Sequence, residues 1–268
     1  MMMMIQNQLL PLSLLLAITP FQAHARISSK TLQLVAAINT EQSMPVLNFR
    51  DQVGLAQCYP TLKILLNSPA VHNPTPERRE LDTEVDNCYL LKDHNERVFE
   101  AFERQYPHFK ERLQKATDLQ KLFGKSEKFE QFFKAFLVLH DSGKPTGPLV
   151  NQHENTIPIM QAYLKKWHFN EQQIALATTL IDDDLVGDIV LKGLTVNDAQ
   201  KRIQKEATEL RLSKETVCIL HHFFWACDAG SYKSLAECIV TDNNGISLPR
   251  YHQKTIKDLY ARCNQNKH

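Results

Sequence analysis

Glycine is scarce in this chain, with 8 in 268 residues, and that scarcity disfavours an all-β fold while suiting helices. Net charge is nearly absent as well: 31 basic against 30 acidic side chains leave a formal +1. A balance that even gives no electrostatic reason to expect nucleic acid or an anionic membrane as partner. The six cysteines, Cys58, Cys88, Cys218, Cys227, Cys238 and Cys263, include no CxxC pair, which argues against a thiolate zinc site. Past the N-terminus no apolar run approaches the roughly 18 residues of a membrane span. Strand-like alternation is almost missing, and no internal repeat is present.

What is there reads as helix. Hydrophobic residues make up 43% and charged residues 23%, which places the chain among globular proteins rather than disordered ones. Residues 1–25 read as a cleavable signal peptide, the alternatives being an uncleaved, partly apolar N-terminal helix or a start codon misassigned upstream. An apolar stretch, Leu9 to Ile18, precedes Ala23-His24-Ala25, a small-x-small cleavage pattern that makes Arg26 the new N-terminus. The basic residues usual before such a stretch are lacking. Read this way, the protein is exported, periplasmic or secreted, and its cysteines are free to pair; without export it is cytoplasmic and they are small core residues.

Residues 26–80 form an N-terminal segment of short helices (27–39 and 50–66) and irregular chain, interrupted by Asn73-Pro74-Thr75-Pro76. From residue 81 onward the helical pattern strengthens into a second unit, 81–268. Helices are expected over about 93–104, 109–122, 129–140, 158–167, 170–181, 195–210, 214–226 and 252–263. The fold class is therefore all-α, a compact bundle of six to nine helices.

The most informative string is His140-Asp141-Ser142-Gly143-Lys144-Pro145. It follows an apolar face built from Phe129, Phe132, Phe133, Phe136 and Leu137. A carboxylate buried there would cost several kcal/mol if unpaired, and a divalent cation is one way to offset that cost. Lys144 adds a mobile positive charge suited to a phosphate oxygen. The simpler reading is a helix end where His140 and Lys144 complement the dipole. Other polar residues point into the same apolar surroundings: His94 ahead of Val98, His153 beside Glu154, and Asp228 on the face of Val217, His221 and Phe224.

The order His94 … His140-Asp141 … Asp228 resembles the H…HD…D signature of the HD superfamily of metal-dependent phosphohydrolases. DHNERVFEA (93–101), LVLHDSGKP (137–145) and CDAGSY (227–232) resemble its local strings, and the likeness spans roughly residues 90–235. It implies an HD-type helical bundle. It also implies one divalent ion (Mn, Fe, Co, Ni or Zn) held by His94, His140, Asp141 and Asp228, which activates water and polarises a phosphoryl oxygen. Asp141 would orient the ion and the attacking group, Lys144 would neutralise phosphoryl charge, and His153 would donate to phosphate or ligate a second ion. The substrate would be a small phosphorylated molecule, with nucleotides among the candidates.

The chain departs from the family's simplest members in the long gap from Asp141 to Asp228, which holds Asp182-Asp183-Asp184 and Asp188. In some family members a histidine near this point joins the site; either an Asp of this run takes its place here or the run is a solvated loop, the reading we favour. It also lacks the Gly-Tyr-Pro signature of cyclic di-GMP enzymes and the Glu-Asp pair of guanosine tetraphosphate hydrolases. Two alternatives stay open. The order His94 … Glu154 … His221 is similar to the metal-free phosphodiesterase domains of bacterial SidE-type effectors, where a histidine attacks phosphorus directly. The other is a helical binding or effector module with a structural or degenerate metal site.

Overall fold

A computed structural model describes residues 27–43, 48–69, 90–147, 151–232, 235 and 238–264. The expected signal peptide, Asn73 to Pro76 and Cys88 lie outside these residues. Helices dominate: α1 (Ser29–Thr40), α2 (Gln52–Cys58), α3 (Pro60–Leu66), α4 (Leu91–Lys115), α5 (Thr117–Phe123) and α6 (Ser126–Leu139). They continue with α7 (Gln152–Lys166), α8 (Glu171–Asp182), α9 (Leu185–Lys192), α10 (Val196–Leu210), α11 (Lys214–Ala229) and α12 (Gln253–Asn264). The all-α expectation holds, with more helices than foreseen, because several are two turns or less. No described helix is long and apolar enough to cross a membrane.

Where the expected boundaries differ, packing explains it. The helices expected over 93–104 and 109–122 are joined, since α4 runs unbroken through Pro107. Proline removes one hydrogen bond there, but Phe102, Tyr106, Phe109 and Leu113 bury one continuous face on both sides of it. Pro158 likewise sits inside α7, which therefore begins early enough to include His153 in its first turn. A two-stranded antiparallel hairpin, β1 (Ile239–Thr241) with β2 (Ser247–Pro249), was not anticipated. Its turn carries the one signal available, Asn243-Asn244-Gly245, with Gly245 at φ +79°.

The core seam is aromatic. Phe102 and Phe109 on α4, Phe133 and Phe136 on α6, and Phe223 on α11 are all buried. Phe133 and Phe223 stack at 4.5 Å between ring centroids, and Phe109 lies 4.9 Å from Phe223. Each such ring, fully buried, contributes on the order of 2–3 kcal/mol of transfer free energy. Helical spacing then decides what lies at the end of the seam. Four residues after Phe136 comes His140, five after Phe223 comes Asp228, and eight before Phe102 comes His94. Three helices held in register by their phenyl rings must bring those polar residues to one place. Asn95 reinforces the register by donating from Nδ2 to the Val138 carbonyl at 3.0 Å.

Candidate metal centre

His94 is fully buried in the first turn of α4, while His140 and Asp141, at 2% and 3% exposure, directly follow α6. Asp228, half-buried, lies in the last turn of α11. Their donor atoms converge. His94 Nε2 is 3.2 Å from His140 Nε2, 3.0 Å from Asp141 Oδ2 and 3.4 Å from Asp228 Oδ1. His140 Nε2 is 3.5 Å from Asp141 Oδ2 and 3.4 Å from Asp228 Oδ1. Donors about 2.1 Å from one ion lie about 3.0 Å apart at right angles and about 3.4 Å apart at tetrahedral angles. The cluster has the dimensions of a single coordination shell.

Hydrogen bonds around the cluster orient it. His140 Nδ1 donates to the Leu137 carbonyl at 2.7 Å, which turns the Nε2 lone pair inward, the tautomer a metal requires. Asp141 Oδ1 accepts from Gln152 Nε2 at 2.8 Å, and Oδ2 pairs closely with Lys144 Nζ. The Lys144 ammonium also reaches the Tyr232 hydroxyl at 3.4 Å, and the Tyr232 ring lies 5.2 Å from that of His94. Phe224 packs edge-on against the His140 ring.

The electrostatics suit a cation. Burial opposes ionisation of Asp141, but the Lys144 ammonium and the imidazoles of His140 and His94 outweigh it and hold the carboxyl well below its usual range. Burial opposes ionisation of Asp228 too, and the approach of His140 and His94 again wins. His140 shows the mirror image: burial disfavours its charge, while Asp141 and Asp228 raise its pKa above the ordinary imidazole value. Asp228 Oδ1 is buried without a good hydrogen bond, its nearest donors standing 3.4 Å away. Such an oxygen is costly unless a stronger partner arrives. Imidazole and carboxylate donors in this set fit a divalent transition metal.

No family model, curated protein or solved structure matches this chain. The reading of the site therefore rests on its own geometry.

Of the expected site residues, the fold brings together His94, His140, Asp141 and Asp228, with Lys144 at their edge. His153 is exposed on the first turn of α7, outside the cluster. The run Asp182 to Asp188 is not the solvated loop expected. Asp184 caps α9 by accepting from Gly187 N, and Asp183 and Asp188 clamp Arg202 at 2.9 and 2.7 Å. Helix α9 occupies most of what was read as loop, because capping and the Arg202 pair convert a charge run into a helix junction.

His221 is likewise not at the centre. It lies two turns before Asp228 on α11, with Nε2 2.6 Å from Glu206 Oε2 on α10. Gln152, Tyr232 and Asn95 are the residues sequence reasoning missed. The last two stand beside recognised ones, Tyr232 in CDAGSY and Asn95 after His94, and that adjacency was the only signal.

Behind the site, the Gly143 amide donates to Thr156 Oγ1 at 3.0 Å, and a β-carbon on Gly143 would fall 2.3 Å from Thr156 N. Helix α1 clasps the same loop. Lys30 Nζ donates to the Pro145 carbonyl at 2.8 Å, Thr31 Oγ1 meets Thr146 Oγ1 at 2.9 Å, and Ser28 N donates to Asn155 Oδ1 at 3.0 Å.

Proposed function

We propose that this chain is a metal-dependent phosphoester hydrolase of the HD type, acting on a small phosphomonoester or phosphodiester, nucleotides included. The observation that carries the reading is the convergence of His94, His140, Asp141 and Asp228 at the separations of one coordination shell. Those four residues would hold the ion. When bound, it supplies Lewis acidity toward a phosphoryl oxygen and lowers the pKa of water.

The chain's own groups do the rest. Asp141, fixed through Oδ1 by Gln152, keeps Oδ2 aimed at the centre. Lys144, held between Asp141 and Tyr232, places positive charge where phosphoryl oxygens gain negative charge. His153, exposed on the first turn of α7, would donate to the substrate from outside the cluster. The metal-free alternative needs His94 and His221 to act together, and the pairing of His221 with Glu206 favours a structural role for it instead. In this reading the protein works outside the cytoplasm, after loss of residues 1–25.

The deciding experiment measures metal per chain by mass spectrometry alongside hydrolysis of p-nitrophenyl phosphate, bis-p-nitrophenyl phosphate and nucleotides. About one transition metal per chain, with hydrolysis abolished by chelator and by Asp141→Ala, is expected. Metal without turnover on any of these would turn the reading toward a binding module. Absence of metal after incubation with Mn, Fe, Co, Ni and Zn would end it.

A further inference from the structure

Lys144 is a buried cation at the edge of a cluster built to take another cation. It follows Asp141 by three residues, across a turn in which the Lys144 amide donates to the Asp141 carbonyl at 2.9 Å. That turn carries the ammonium back onto the Asp141 carboxylate, whose two oxygens have different neighbours. Oδ1 accepts from Gln152 Nε2 at 2.8 Å. Oδ2 lies 3.0 Å from His94 Nε2 and 3.5 Å from His140 Nε2, and it is also the oxygen that Lys144 Nζ pairs with. One oxygen therefore faces two cation positions: the ammonium that holds it and the point between the imidazoles where an ion would draw on it.

We propose that Lys144 is a tethered competitor of the metal: ammonium and ion contend for Asp141 Oδ2, so the chain binds metal more weakly than its four donors alone would. The inference rests on the metal-centre reading above. Two cations on one buried oxygen repel far more strongly than they would in water, because the surrounding protein screens them poorly. The tether keeps the ammonium at a high effective concentration, so an ion must displace it rather than outnumber it.

The sign of the lysine's effect separates this role from a simpler one. A lysine that only oriented Asp141, as Gln152 does, would weaken the metal when lost. A competitor, when lost, leaves Oδ2 wholly to the ion and tightens it. The same loss leaves a buried carboxylate short of its counter-charge in the metal-free chain, which costs stability. Tyr232, with its hydroxyl 3.4 Å from Nζ, is the neighbour that keeps a displaced ammonium at the site. Metal loading would thus turn the lysine from Asp141 toward a phosphoryl oxygen, and the anion-binding group is armed when the ion is in place.

The test uses the full chain with zinc as the probe. Affinity is read by competition with a chromophoric chelator, and stability by calorimetry. Lys144→Met should bind zinc about 10- to 100-fold more tightly than the wild type, and should melt lower than the wild type without zinc. Lys30→Met controls for the general loss of a positive charge. Its ammonium sits on the Pro145 carbonyl rather than on Asp141, and its removal should move zinc affinity by less than about threefold. The inference is overturned if Lys144→Met binds zinc no more tightly than the wild type, or if Lys30→Met gains as much. A measurement on the wild type stands even where Lys144→Met folds poorly. Limited reductive methylation, mapped by mass spectrometry, should label Lys144 faster with zinc than without, and equal or slower labelling overturns the inference. Failure of the metal-centre reading looks different: neither the wild type nor Lys144→Met takes up zinc, and the inference falls with it.

Discussion

The ring of His140 is held by Leu137: Nδ1 donates to a carbonyl three residues back at 2.7 Å, so that only Nε2 faces His94 and Asp228. The bond fixes the tautomer and the ring plane before any ion arrives, which lowers the ordering cost of binding one. Burial opposes its charge, but Asp141 and Asp228 raise the His140 pKa above the ordinary imidazole value when no ion is bound.

Competition with protons for this nitrogen makes metal uptake pH-dependent. A ligand nitrogen must be deprotonated, so an entering cation expels the proton, and affinity falls about tenfold per pH unit wherever one proton must leave. The sign is weaker binding as pH drops. Calorimetry in buffers of different ionisation enthalpy should show a proton released per metal bound; buffer-independent heats would contradict the assignment.

Gln152 donates to Asp141 Oδ1 and would act on a bound ion through that carboxylate. Replacing it with alanine should weaken metal affinity about 10- to 100-fold while the melting temperature changes little, the pattern of a residue that orients a ligand. Competition with a metal-sensitive dye measures the first and calorimetry the second. Unchanged affinity would show that Asp141 is positioned by other means.

Gly143 is tight in space rather than unusual in torsion. A methyl there meets the Thr156 amide and the Gln152 carbonyl, both backbone atoms that cannot swing aside. Gly143→Ala should cost about 3 kcal/mol of stability, as overpacking in a closed site does. Urea unfolding would test this, and a loss below about 0.5 kcal/mol would mean that the loop is freer than its contacts imply.

His222 governs acid stability. It bridges the Tyr260 hydroxyl and the Ser247 carbonyl, each at 2.7 Å, tying α11 to α12 and to the hairpin. Burial lowers its pKa to about 4 from the ordinary 6.5. Between those values the unfolded chain binds the proton and the folded one does not. The contribution is therefore complete above about pH 6.5 and lost as pH falls toward 4, amounting to about 3 kcal/mol. Denaturation of the wild type and His222→Gln at pH 7 and pH 4.5 should show a smaller pH dependence in the variant. Equal dependence would place the acid sensitivity elsewhere.

The main helices and the four clustered residues were legible in the sequence for one reason. Apolar spacing on α4, α6 and α11 extends in step to His94, His140 and Asp228, so the face that names the helix also aims the polar residue. Legibility ended where a residue's role depends on a partner far along the chain. Gln152 looks like any polar residue until Asp141 is seen beside it, and Asp183 with Asp188 looked like a solvated run until Arg202 closed on them. The break expected between residues 104 and 109 failed for a related reason: the burial on both sides of Pro107 that carries α4 through it is tertiary. The hairpin of β1 and β2 was missed because its strands are three residues each, too short for alternation to register.

The clasp of α1 on the loop at Pro145 and Thr146 has a consequence in time. Its partners lie more than a hundred residues apart, and Asp228 comes later still. A growing chain holds α1 idle until the loop emerges, and Asp228 joins the cluster only after α11 has followed. A metal would therefore meet no complete set of donors on a chain that has not yet reached α11. Loading would follow that step, governed by whichever metals surround the protein where the cluster closes.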